Sequence, residues 1–157
     1  MKKSLLISFA VALLVSLVPD SSALAGRNVF GIRGGFTDDP DSFFFGGHAL
    51  IHPRRARALR LEPALELGIG DEAIDFFSIR FNFTLKYLFP LGRDMAVYPL
   101  FGPAIYYINA DCDGCDDTEV GVHLGGGFDL YGVSLDIALG LTDDIPDFTF
   151  TVGYSFW

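Results

Sequence analysis

No segment after residue 25 is an unbroken apolar run of the length a bilayer-spanning helix needs, and none sustains an apolar period of 3.6 residues. Helical membrane insertion is thereby excluded. Positive charge is also scarce: 11 Lys and Arg stand against 20 Asp and Glu, a formal net charge of −9. Nucleic acid is excluded as a partner, because binding a phosphate backbone needs the opposite sign. No Ser/Pro-rich linker or shift of composition divides the chain, which leaves room for a single domain. Cysteine occurs only at Cys112 and Cys115, and none lies near Ala23-Leu24-Ala25, so a lipid-anchored N-terminus is not expected.

What is present begins with a leader. Met1, Lys2 and Lys3 form a positive region, residues 5 to 18 an apolar one, and Ala23-Leu24-Ala25 a small-x-small cleavage site. This pattern predicts a secretory signal peptide over residues 1–25, removed before Gly26. The stretch from Leu5 to Val18 is too short for a helical anchor. Residues 26–157 then form the mature domain, in an oxidising compartment where a Cys112–Cys115 disulfide persists.

The mature chain is dominated by period-two patterning, the mark of strands with unlike faces. It gives eight strands, at 28–37, 43–52, 59–70, 76–89, 96–109, 119–130, 133–141 and 147–157. The fourth is the clearest: Phe77, Ile79, Phe81, Phe83, Leu85, Tyr87 and Phe89 alternate with Ser78, Arg80, Asn82, Thr84, Lys86 and Leu88. The fifth is ambiguous, since Pro99 and Pro103 interrupt it and both parities are apolar. The run FTFTVGYSFW closes the sequence with Phe148, Phe150, Val152, Tyr154 and Phe156 on one side and small or polar residues on the other.

Alternation does not say which face points inward, and volume decides. An eight-stranded barrel is only wide enough inside to be filled by side chains or to hold one small ligand, and the large apolar set would overfill it. The polar parity also carries glycines such as Gly31, Gly35, Gly46, Gly68, Gly121, Gly125 and Gly153, which suit a crowded lumen. The expected fold is therefore all-β: an eight-stranded antiparallel up-and-down transmembrane β-barrel, oily outside. Its last strand pairs with its first, because an open edge in hydrocarbon leaves backbone groups without partners.

With its leader, strand rhythm and terminal aromatic strand, the chain resembles the small eight-stranded bacterial outer-membrane β-barrels of OmpA/OmpX type. The resemblance implies residence in the outer membrane, contact with its lipids, and insertion by the barrel-assembly machinery. That machinery reads a C-terminal signal, here corresponding to Val152, Tyr154 and Phe156, with Trp157 one residue beyond the usual final aromatic.

The polar parity collects a lumen charge set: Arg33, His48, His52, Arg60, Glu62, Glu66, Arg80, Lys86, Glu119, His123, Asp129 and Asp136. Ions of both signs in a narrow tube are expected to form a salt-bridged plug, which offsets the cost of burying each alone. Acids crowd the connectors at 38–42, 71–75, 110–118 and 142–146, whereas Arg54, Arg55, Arg57 and Arg93 lie at the opposite rim. The acidic rim is read either as solvation or as a place where divalent cations bridge to anionic lipid headgroups. DCDGCDD lacks the spacing and closing Glu of an EF-hand, and its cysteines lack both a thioredoxin-like context and the further ligands zinc requires.

No cofactor is expected. Lipid A deacylases of this shape carry His and Ser two apart on a strand, but His123 is followed by Leu124 and Gly125, and His48 by Ala49 and Leu50. The expected role is structural or surface-interacting, without catalytic turnover. The alternatives are a narrow ion channel, a lipid A-modifying enzyme, and a soluble periplasmic lipocalin-like binder of an apolar ligand.

Overall fold

In the computed structural model, alternation becomes a closed antiparallel barrel. The structure describes residues 29–38, 41–53, 56, 58–72, 74–110, 117–142 and 145–156. The expected leader, Cys112 and Cys115, and Trp157 lie outside the described residues.

The strand segments are β1 (Val29–Thr37), β2 (Ser42–Leu50), β3 (Leu59–Glu72), β4 (Ile74–Tyr87), β5 (Phe89–Pro90), β6 (Met95–Ala110), β7 (Asp117–Leu130), β8 (Val133–Gly140) and β9 (Phe148–Phe156). β5 continues β4 past Leu88, so the nine segments make eight staves. Each pairs antiparallel with its sequence neighbour; β9 pairs with β1, from Phe30 opposite Phe156 to Thr37 opposite Thr149, and β4 with β6 completes the ring. The terminal aromatic strand thus closes the wall.

The two faces separate as the volume argument requires. Phe30, Phe43, Phe45, Leu65, Leu67, Ile69, Leu135, Ile137, Val152, Tyr154 and Phe156 are exposed on the outside, while Arg33, Glu62, Glu66, Arg80, Lys86 and Asp136 are buried within. Aromatic pairs flank the belt at both ends. Tyr87–Phe89 and Tyr154–Phe156 meet at the end where the barrel begins and finishes, here the lower end, and Phe36–Phe43 at the upper. Aromatic girdles of this kind sit where a membrane meets water.

The ambiguous β6 is settled by its burial. Ala96, Tyr98, Leu100, Ala104 and Tyr106 face the lumen, and Pro99, Phe101 and Pro103 face out. The prolines leave a signature in the ladder. A proline has no N–H to give the facing carbonyl, and in an antiparallel pair that N–H serves two successive bridges. Between β4/β5 and β6 the pairing omits 83–103 with 84–102 and 87–99 with 88–98, with the register unchanged across both gaps. Pro63 does the same between β2 and β3: pairing stops at His48–Ala64 and resumes at the bridge Ile51–Leu61.

Ile145 and Pro146, just ahead of β9, lie at the upper mouth. Ile145 is buried there beside Gly121 and Gly140; a Cβ on Gly121 would lie 2.6 Å from Ile145 Cγ2. At the lower end, Tyr131 and Gly132 join β7 to β8 with φ of 52° and 83°. Two positive φ values are what a two-residue hairpin of right-handed twist demands.

Candidate functional site: the ion-paired lumen

The inward positions of β1, β3, β4 and β8 place three cations and three anions in one chain of contacts. Glu66 on β3 holds both Arg80 Nε and, 2.7 Å from its other oxygen, Arg33 Nε. Asn82 Nδ2 donates to the same carboxylate at 3.0 Å. Arg33 Nη1 reaches Glu62 Oε1 at 2.6 Å, and Lys86 Nζ joins Glu62 Oε2 at 2.7 Å to Asp136 Oδ2 at 2.8 Å. Tyr98 Oη ends the chain by donating to Asp136 Oδ1 at 2.7 Å.

The order of signs is plus–minus throughout, from Arg80 through Glu66, Arg33, Glu62 and Lys86 to Asp136, and the charges cancel. Each ion taken from water is therefore met by opposite charge on at least one side, the condition under which burial is tolerable. Glu66 has no exposed surface and Lys86 is 2% exposed. Ring faces complete the shell: the Arg80 guanidinium lies 4.1 Å from the Phe44 centroid and 5.3 Å from that of Tyr106, and Lys86 Nζ 4.8 Å from that of Tyr98. On β9, Thr151 accepts from Arg33 at 3.3 Å and Thr149 from Arg80 at 3.5 Å.

The remaining sequence candidates fall outside this chain. Arg60 and Asp129 form their own pair at 2.6 Å near the lower end. His48 Nε2 meets Ser155 Oγ at 3.1 Å, and His123 Nε2 meets Thr84 Oγ1 at 3.1 Å. Gly31 makes space for the His48 ring, since a Cβ there would lie 2.5 Å from it. His52 stands beyond the end of β2, and Glu119 is half-buried on β7. Val152, Tyr154 and Phe156 all face outward. Most of the acidic rim lies outside the described residues or among side chains that are not described, as does the cysteine pair.

Four lumen residues were not singled out from sequence. Phe44, Tyr98 and Tyr106 sit in apolar-rich strands where parity is blurred, and Ser155 becomes a histidine partner only through barrel closure, which brings together residues separated by |i−j| = 107. The His48–Ser155 contact has the pairing of a nucleophile and its base, yet it lacks the third member. His48 Nδ1 has no hydrogen-bond partner among the described residues, and both oxygens of the neighbouring Glu62 are held by Arg33 and Lys86.

Two spaces flank the ion chain. A cavity of about 40 Å³ lies in the upper half among Arg33, Arg80, His123, Tyr106, Thr149 and Ile145, capped by Pro146. A vestibule of about 720 Å³ opens at the lower end, and Arg60 and Asp129 both line it.

No known protein-family profile matches the chain, and no curated protein is detectably similar in sequence. Solved structures are similar in fold. Neisserial surface protein A is 13% identical with a TM-score of 0.58, covering 82% of this chain and 94% of its own. The N-terminal β-barrel domain of Pseudomonas aeruginosa OprF is 20% identical with a TM-score of 0.53, covering 82% and 96%. Ail of Yersinia pestis, in a phospholipid bilayer nanodisc, is 13% identical with a TM-score of 0.51, covering 83% and 100%. The chain therefore has the fold of the small eight-stranded outer-membrane barrels.

Proposed function

We propose that this chain is an integral protein of the bacterial outer membrane, with a structural or surface-contact role and no catalytic turnover. The observation that carries the reading is the division of the closed wall: a continuous apolar belt outside, and a neutral, ion-paired filling inside. The belt calls for lipid. The central ion chain stands across the axis, and the vestibule at the lower end is lined by Arg60, Arg93, Asp94 and Asp129 beside its apolar residues, which argues against the channel and lipocalin-like readings.

In this reading residues 1–25 direct export, both ends of the domain lie in the periplasm, and the acidic connectors face outward from the cell. The assembly machinery takes up β9 through Val152, Tyr154 and Phe156, with Trp157 following, and outer-membrane lipids surround the belt. The bilayer setting of Ail, which shares the fold, supports the placement in lipid.

Cell fractionation tests the proposal. The chain is expected in the outer-membrane fraction, as a band whose gel migration changes on boiling. Recovery in the soluble periplasmic fraction overturns it.

A further inference from the structure

We infer that the lower vestibule, together with the stitched seam beside it, holds one phospholipid with a primary ammonium headgroup, of which phosphatidylethanolamine is the type. The inference rests on the membrane placement proposed above.

Three features converge at this end of the barrel. The first is the vestibule, whose wall mixes Leu88 and Ala96 with Arg60, Arg93, Asp94 and Asp129. Two cationic and two anionic groups complement a zwitterion better than an anion. Arg60 and Asp129 are already joined, while Arg93 and Asp94 are exposed on the β5–β6 turn, with no ion pair among the described residues. Arg93 can therefore take a phosphate, and Asp94 an ammonium, at the lip.

The second feature is the seam itself. Pro99 offers no N–H to the Tyr87 carbonyl, and Pro103 none to that of Phe83, so the wall between β4/β5 and β6 is bonded only in short stretches in its lower half. A carbonyl without a donor is costly beside hydrocarbon. An N–H-bearing headgroup supplies a donor to the Tyr87 carbonyl, and a quaternary ammonium does not. The third is position: Tyr87, Phe89 and Tyr131 are exposed around the seam and the vestibule, at the level where headgroups lie. The acyl chains then run up the outer surface past Phe101 and Pro103.

The test is native mass spectrometry of the full refolded chain in detergent, offered equimolar phosphatidylethanolamine, phosphatidylcholine and phosphatidylglycerol. The expected result is a one-to-one adduct retaining phosphatidylethanolamine at least fivefold over each of the others. The preference should fall at least fivefold in an R93A/D94A double variant and, separately, in P99V, which restores the missing N–H. Equal retention of the three lipids overturns the inference, as does a preference unchanged in both variants. Gel heat-modifiability, read in parallel, reports whether the barrel itself is intact, so failure of the site is distinguishable from failure of the membrane reading.

Discussion

Glu66 joins three side chains at the centre of the interior. Its carboxylate meets Arg33, Arg80 and Asn82 with no surface open to water. Replacing it by glutamine leaves the buried Arg80 guanidinium without its anion and Arg33 with Glu62 alone, and breaking a buried pair in this way costs about 3–5 kcal/mol. Urea unfolding of the lipid-reconstituted E66Q variant, compared with the parent, measures this loss. Tyr98→Phe removes one hydrogen bond to a charged acceptor and is expected to cost less, about 1.5–3 kcal/mol. The charged members of this site were legible in the sequence because alternation assigns Arg33, Glu62, Glu66, Arg80, Lys86 and Asp136 to one parity. Which ion meets which was not legible, since pairing depends on stagger around the ring. Phe44 and Tyr106 were hidden for a different reason: an aromatic residue in such a sequence reads as lipid-facing until the opposite parity is seen to be outside.

At the scale of elements, the eight-strand count followed from alternation, and the expected strand limits fall within two residues of the observed ones. The exception in detail is the fourth stave, which divides into β4 and β5 at Leu88 because Pro99 stands opposite Tyr87. Both parities of residues 96–109 are apolar, so sequence pattern could not orient β6; its neighbours did. Restoring N–H donors tests the account of the seam. P99V and P103V are each expected to stabilise the barrel by about 1 kcal/mol, the net worth of a typical hydrogen bond, read as a higher urea midpoint. Small residues have the opposite logic. A Cβ on Gly125 would stand 1.9 Å from the Ile137 carbonyl oxygen, a collision with backbone that no side-chain movement relieves. Gly125→Val is expected to abolish the heat-modifiable band, and a normally migrating folded form would refute this account of the close approach.

For the whole molecule, the membrane placement proposed above makes depth along the outer wall matter. Leu65 is 54% exposed on the outer wall, and Leu65→Arg is expected to cost about 2–4 kcal/mol if it lies near the bilayer midplane. Unfolding from vesicles, with Glu66 variants as the inward comparison, places both faces on one scale. In planar bilayers the parent chain is expected to give no stable conductance step, because Ile145, the central ion chain and the Arg60–Asp129 pair succeed one another along the axis. A reproducible step would remove the filled-lumen description.

The span of the central contacts along the chain has a kinetic side. Arg33 is 29 residues from Glu62 and 118 from Thr151, and Lys86 is 50 from Asp136. Glu66 and Arg80 face each other across the β3–β4 hairpin, but the contacts that tie this pair to β1, β8 and β9 are not local, so the ion chain is completed only as the wall closes. Closure and dehydration then become one event, late and steep, with the largest chain-ordering cost falling before its compensation arrives. The same arrangement acts in reverse: no stave can leave alone without wetting charges on several others. A barrel built this way is expected to be slow to form and slower still to come apart, its lifetime set by an escape barrier more than by its equilibrium stability.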